Sequence, residues 1–502
     1  MKLFRSSGIL APITSLPAPH GVGTLGQAAY DFIDFLSDAG QSWWQILPVG
    51  PTSYGDSPYS GYSTFAGNPY FVDLDLLVAD GLLEESELAG VDWGGSARYV
   101  DYEKLYAARF PILRKAAARG TRRDAEAFAA FRRENARWLE PYALFMALKD
   151  HFSGAPWTDW DDPIRLREPE AVRHYSELLA EDVTFYAYVQ YLFFGQWERL
   201  RAYAREKHIG IIGDMPIYVS MDSADVWSEP RYFQLDDQCV PTAVSGVPPD
   251  AFTEDGQLWG TPLYDWDAMR ADGYGWWIRR VEGAEKLYDV LRIDHFRGFE
   301  AFWSVPYGEE TAKNGEWVKG PGMDLVGRLT GWFHEMQFIA EDLGYITPEL
   351  RQLLEESKLP GMKVLEFAFD HREPSDYLPH NYPRGCVCYA GTHDNDTLLG
   401  WLREVPEADL EFAVSYLGLN PEEGYAWGIL RGGMSSVADL FVAQIQDYLG
   451  LGSEARINTP GSVGDNWKWR LLPGELTPAL AEKLAAMTRR YGRSNQAWQP
   501  SN

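Results

Sequence analysis

Short runs of apolar residues recur along the chain, and between them apolar positions return at the spacing of a helix. The runs fall at 8–16, 43–49, 209–214, 288–294, 338–342, 362–367, 386–390 and 455–458. They are continuous rather than alternating, as parallel strands covered on both faces are. Helical periodicity fills the intervals, for example at 27–39, 323–336, 348–357 and 437–449. Eight strands with helices between them predict an α/β chain closed into a (β/α)8 TIM barrel. A doubly wound open sheet is the alternative architecture.

The spacing is uneven. The second run ends at 49 and the third begins at 209, much further apart than one barrel helix needs. Helical patterns at 104–119, 123–152 and 168–207 occupy most of that interval. The expectation is a single catalytic barrel over 1–502 with a large, mostly helical insertion at 51–191, between strands two and three, over the C-terminal face. A second insertion is expected at 219–276, between strands three and four. Its Pro, Gly, Trp and Asp content suits an irregular loop region near a site.

One motif is set aside. Gly21-Val22-Gly23-Thr24-Leu25-Gly26 matches G-x-G-x-x-G and precedes a helix. A dinucleotide site needs its first glycine directly after a strand and an acidic residue closing the next one. Here Pro17 and Pro19 intervene, and the next run ends in Gly50-Pro51. The segment reads as a tight turn that starts the first helix.

Composition narrows the partners. The formal net charge is −28, which repels phosphate backbones and anionic bilayers. Nucleic acid and membrane are therefore not expected, and a neutral substrate is. No stretch reaches the roughly 18 uninterrupted apolar residues of a membrane span, and residues 1–8 have no signal-peptide pattern. Three cysteines are too few for a disulfide framework, and Cys386 and Cys388 read as buried free thiols on one strand. These features favour the cytoplasm. The 20 Trp and 28 Tyr exceed what a core needs and suit a sugar, whose ring face packs on aromatic rings.

The chemistry lies at the ends of the apolar runs. Asp214, Asp294, the pair Glu341-Asp342, and Asp394 each close one of them. In a barrel those ends meet at one mouth. A single strand ending in Asp usually caps a helix; four in one barrel-like chain are not explained by capping alone. Strand parity places Arg292 on the same side as Asp294, one layer below. A cation there favours the charged carboxylate and lowers its pKa, as a nucleophile requires. Glu341 has no local cation and suits a general acid. Parity does not choose between Glu341 and Asp342. Paired carboxylates with a third acid suit retaining glycoside chemistry, in which two carboxyl groups stand roughly 5–5.5 Å apart. A metal centre is the competing reading, yet His334-Glu335-Met336-Gln337-Phe338 fails H-E-x-x-H at its last position.

The chain resembles the 4-α-glucanotransferases, or amylomaltases, of glycoside hydrolase family 77. The likeness is carried by Gly213-Asp214-Met215-Pro216-Ile217-Tyr218-Val219, Arg292-Ile293-Asp294-His295-Phe296-Arg297-Gly298, Ala340-Glu341-Asp342-Leu343-Gly344 and Gly391-Thr392-His393-Asp394-Asn395-Asp396-Thr397. Gly8-Ile9-Leu10, Ser57-Pro58-Tyr59, Gly67-Asn68-Pro69-Tyr70 and Asn466-Trp467-Lys468-Trp469-Arg470 extend it over nearly the whole chain. The resemblance implies Asp294 as nucleophile, Glu341 as acid/base and Asp394 as third carboxylate. It implies that Arg292, His393 and Asp214 bind the donor sugar, that Tyr59 stacks under it, and that Ser57 belongs to the same binding set. The stretch around Asp250, with Trp259, would cover the acceptor side. Tyr102 and Phe367 are outer-subsite candidates. Asn466 either binds sugar or orders the last loop. The implied substrates are α-1,4-glucans and malto-oligosaccharides, with no cofactor and no metal; the oligomeric state stays open. An α-amylase-type hydrolase using the same carboxylates is the alternative, followed by a glucan-binding protein without turnover.

Overall fold

The computed structural model describes residues 4–53, 55–249, 253–344, 346–462 and 464–494. Eight short strands carry the architecture: β1 Ser6–Leu10, β2 Trp43–Gln45, β3 Gly210–Met215, β4 Val290–Ile293, β5 Gln337–Ala340, β6 Met362–Val364, β7 Val387–Tyr389 and β8 Leu440–Gln444. All pairings are parallel, in the order β6-β7-β8-β1-β2-β3-β4-β5. The sheet curls into the (β/α)8 barrel that the spacing predicts.

Side chains alternate between two apolar layers. Leu10, Trp43, Ile212, Val290, Ile339, Met362, Val387 and Leu440, one from each strand, meet in a single buried cluster, the barrel interior. Their neighbours Ile9, Trp44, Ile211, Leu291, Phe338, Cys388 and Phe441 belong to the larger core between barrel and helices. Two residues on from the interior positions the inward layer turns polar above β2 to β5, with Gln45, Asp214, Arg292 and Glu341 all buried, while Val364, Tyr389 and Val442 keep it largely apolar on β6 to β8. The apolar floor and partly polar upper layer follow from the period of two alone.

The seam between β5 and β6 closes differently. No strand ladder joins them; the Ala340 N–H donates to Pro360 O at 2.9 Å. The Met362 N–H donates to Asp342 Oδ1 at 2.6 Å. Asp342 follows Ala340 in parity and points out of the interior to zip this seam, while Glu341 follows Ile339 inward. The choice left open by the sequence is thereby a matter of register. Asp342→Ala would strand a buried N–H, with an expected loss of about 1–3 kcal/mol of unfolding free energy in a urea titration.

The last strand corrects an expectation. Residues 455–458 are not a strand; Ser453–Ala455 is a 3-10 turn. The eighth strand, β8, lies inside the stretch 437–449 read as a helix. It runs directly into the short helix Ile445–Leu449, so strand and helix form one apolar run whose periodicity separates neither.

Between β2 and β3 the chain forms helices α1 Tyr102–Arg123, α2 Ala125–Glu134, α3 Ala136–His151, α4 Pro169–Leu178 and α5 Ala180–Glu206. Helix α5 ties this segment down with two buried amides. Gln190 accepts from the Gly67 N–H at 2.7 Å and donates to Gly67 O at 2.8 Å. Gln196 does the same for Asp73, at 2.7 and 3.0 Å. Each glutamine replaces a strand partner for a loop backbone that has none. After β3, strands Ala243–Val247 and Gln257–Pro262 join Ala301–Pro306 and Glu316–Lys319 in a four-stranded antiparallel sheet, more regular than the composition suggests.

The glycine motif serves packing. A Cβ on Gly23 would collide with Ile13 O, and one on Gly26 with the Asp73 carboxylate. Only glycine lets these backbones approach.

Candidate active site

Strand register builds the mouth. Asp214 pairs with Arg292 across β3 and β4, and Arg292 with Ile339 across β4 and β5. One step beyond the strands, the Asp294 N–H donates to Met215 O at 2.9 Å and the Glu341 N–H to Ile293 O at 3.0 Å. The two carboxylates therefore stand on neighbouring strand ends, fixed by the sheet's own hydrogen bonding.

Arg292 sits between two acids. Its Nη1 donates to both oxygens of Asp214 at 2.7 Å and to Asp294 Oδ1 at 3.0 Å. Its Nε donates to Met362 Sδ at 3.3 Å. Burial alone would lower the Arg292 pKa, but Asp214 and Asp294 outweigh it and hold the guanidinium charged. Asp294 is not depressed as the parity argument expects, because burial outweighs the cation. Burial raises its pKa; Arg292 opposes this, and Asp214 adds to it. Its side chain is still 30% exposed to the cleft, which moderates the burial penalty.

Glu341 is buried, and each of its oxygens accepts a backbone N–H, Oε2 from His295 and Oε1 from Leu343, both at 2.7 Å. Burial and then the charge of Asp294 raise its pKa above that of Asp294, while Arg292 and the two N–H groups pull it down. This ordering, one carboxylate releasing its proton before its neighbour, divides a pair into base and acid.

Tyr59 joins the same cluster. Its hydroxyl donates to Asp214 Oδ2 at 2.7 Å, and its ring stacks on His393 with centroids 4.9 Å apart and an interplanar angle of 15°. Ser57 Oγ accepts from the Tyr59 N–H at 3.2 Å, shaping the turn that presents the ring. His393 Nε2 lies 3.3 Å from Asp394 Oδ1. Asp394 is steered from the run 455–458, which the sequence reads as a strand and not as part of the site. Asn458 Nδ2 donates to Asp394 Oδ1 at 2.6 Å, and Arg456 donates to Asp394 O at 2.7 Å and Asn458 O at 2.8 Å. Asn458, the last residue of that run, lies in a loop after β8 and meets Asp394 only through the fold. Asn458→Ala is expected to lower kcat/KM by about 10- to 100-fold, the scale of one hydrogen bond to a charged group, with an unchanged circular dichroism spectrum.

The remaining sequence candidates lie further out. Trp259 is 39% exposed on the antiparallel sheet, edge-on to His295 at 4.7 Å. Tyr102 is buried and donates to Trp467 O at 2.8 Å. Asn466 accepts from the Thr459 N–H at 2.9 Å and donates to Ser462 O at 2.9 Å, ordering its loop. Both line a groove of about 1700 Å³ between the segment after β2 and the loop after β8, with Tyr99 and Tyr106 exposed along it. Phe367 is exposed after β6, edge-on to Tyr377. Asp250 lies outside the described residues. Among those residues, the three acidic or histidine side chains whose ligand atoms converge are Asp370, His371 and Asp409, away from the strand-end carboxylates. Arg372 already binds Asp370 there, at 2.8 and 2.6 Å.

Comparisons with known proteins bear on the chain as a whole. Residues 11–476 match a family described as 4-alpha-glucanotransferase. A 4-alpha-glucanotransferase of Clostridium butyricum is 48% identical over 96% of this chain and 99% of its own. One of Thermus thermophilus is 50% identical, over 97% and 99%. The structure of an amylomaltase from Streptococcus agalactiae in complex with acarbose superposes with a TM-score of 0.95 at 40% identity, over 98% of this chain and 100% of that one.

Proposed function

The chain belongs to the 4-alpha-glucanotransferase family and is an enzyme of that type, and from that premise we propose that Asp294 and Glu341 move a segment of an α-1,4-glucan to an acceptor by double displacement. Asp294 attacks the anomeric carbon while Glu341 protonates the departing oxygen, leaving a β-glucosyl ester on Asp294. Glu341, now ionised, takes the proton of an incoming 4-hydroxyl, the new α-1,4 bond forms, and Asp294 departs as the carboxylate. The acceptor is a second malto-oligosaccharide or glucose.

The observation that carries this reading is the sharing of Arg292 between Asp214 and Asp294, next to a Glu341 whose pKa depends on the Asp294 charge. Esterification of Asp294 removes that charge. Glu341 then loses one of the influences that kept it protonated and becomes the base of the second step. The same pair performs both halves without a further group.

Asp394, His393 and Tyr59 would hold and distort the donor ring. Trp259 would carry the acceptor, and Tyr102 and Asn466 would border outer glucan positions along the groove. The substrate is neutral, in keeping with the acidic chain. We read 1–502 as one catalytic unit in which the segments 51–191 and 219–276 cover the mouth, and the cytoplasm as its location. Among the described residues, no helix is long and apolar enough to cross a membrane.

The deciding measurement is the product ladder from pure maltotriose. Transfer yields glucose together with longer oligosaccharides; reducing ends that rise with each cleavage would make the protein a hydrolase instead. The pH profile follows from the pair. Asp294 must be ionised, so kcat/KM rises with pH through about 6. Glu341 must be protonated, so kcat/KM falls through about 7. A narrow bell between these limits is expected, its two limbs belonging to the pair rather than to either residue.

A further inference from the structure

His295 follows the nucleophile, and its backbone is left-handed, φ +49° and ψ +47°. For a residue with a side chain that conformation costs about 1–2 kcal/mol, so the surroundings must enforce it. Its result is that the N–H and the ring of one residue serve different partners. The N–H donates to Glu341 Oε2 at 2.7 Å. The next N–H, of Phe296, donates to Glu341 O at 3.1 Å. The half-buried ring meets the Trp259 indole edge-on, with centroids 4.7 Å apart and an interplanar angle of 86°. Trp259 is partly exposed on strand Gln257–Pro262, and its other aromatic neighbour is Tyr218 at 6.3 Å.

His295 thus bridges an exposed indole on the acceptor side and one carboxylate oxygen of the acid/base. We propose that His295 is a positioning residue through which a sugar resting on Trp259 keeps Glu341 in line for its 4-hydroxyl, so that the Asp294 ester passes to sugar rather than to water. The proposal rests on the reading of Asp294 and Glu341 given above. In either outcome the C1–O bond to Asp294 breaks, a new C1–O bond forms, and Glu341 takes the proton. Water reaches C1 without help from Trp259. A sugar hydroxyl arrives at the angle that its ring, and hence Trp259, dictates. Backing Trp259 therefore favours the sugar route selectively. Burial and Arg297 push the His295 pKa down to about 4, so the ring acts as a neutral support and adds no charge beside Glu341.

The test separates ring from backbone. His295→Asn suits the left-handed backbone and keeps the N–H to Glu341 but loses the ring. His295→Phe keeps a ring against Trp259. With maltotriose, glucose and total reducing ends give the hydrolysed share of cleaved bonds. His295→Asn and Trp259→Ala are each expected to raise that share about 2- to 10-fold, the scale of one edge-to-face ring pair. The double variant should go no further than the larger single effect, and His295→Phe should stay near wild type. A wild-type share in His295→Asn, or single effects that multiply in the double variant, would overturn the coupling. His295→Gly, which adopts the backbone at no cost, replaces Asn if that variant does not fold. Glu341→Gln runs beside them: if it keeps full transfer, the acid/base assignment fails, a result distinct from an unchanged partition.

Discussion

Asp294→Asn is expected to abolish disproportionation, with a fall in kcat on the order of 10⁴-fold or more, because the carboxamide cannot form the ester of the first step. The same substitution should not weaken the fold. Burial raises the Asp294 pKa in the folded chain, so its charged form opposes folding. Such a carboxyl contributes most to stability at low pH, and that contribution is lost as pH rises from the ordinary carboxylate range through about 6. Asparagine carries no charge to lose. At pH 7 and above, the variant should unfold at equal or higher denaturant concentration than the wild type, while its maltotriose ladder is blank. Retained transfer would place the nucleophile elsewhere. Lost stability at pH 7 would mean that Arg292 needs the second carboxylate and that Asp214 alone does not satisfy it.

Glu341→Gln should behave differently with different donors. On malto-oligosaccharides, loss of the general acid costs about 10²- to 10⁴-fold. A glucosyl fluoride needs no protonation to leave, so the first half survives. Glutamine then cannot take the acceptor's proton, and the ester accumulates. Mass spectrometry of the quenched variant should find one glucosyl unit on the peptide that contains Asp294. Turnover of fluoride and maltotriose at equal rates, or no labelled peptide, would remove Glu341 from both roles. Both glutamine oxygen and nitrogen would still sit near the His295 and Leu343 N–H groups, but only the oxygen can accept, so one N–H loses its partner.

Much of this was legible before any coordinates. The continuous apolar runs gave seven of the eight strands, and acids at their ends gave the mouth, because a barrel converts strand direction into convergence. The eighth strand escaped because Leu440–Gln444 runs unbroken into a helix. Parity placed Arg292 beside Asp294 correctly but misjudged the outcome, since only the fold buries the carboxyl and brings Asp214 to the same guanidinium. Glu341 and Asp342 could not be told apart from residues alone, because which of Ile339 and Ala340 faces inward is a property of the closed sheet. Family resemblance supplied the roles. Arg456 and Asn458 lay in the run taken for a strand, and nothing local tied them to Asp394; only the fold brings the loop after β8 to it.

The seam beside Glu341 also bears on what heredity can do to this stretch. Two adjacent acids face opposite ways, one toward the sugar and one latching β5 to β6 through the Met362 N–H. An exchange of one apolar residue for another of similar size in β5 leaves that division standing. Gain or loss of a single codon within it turns every side chain to the other face. The latch would then point into the mouth and the acid/base into the wall, so one indel would open the barrel and silence the chemistry together. The length of this segment is therefore constrained more tightly than the identity of any one of its apolar residues.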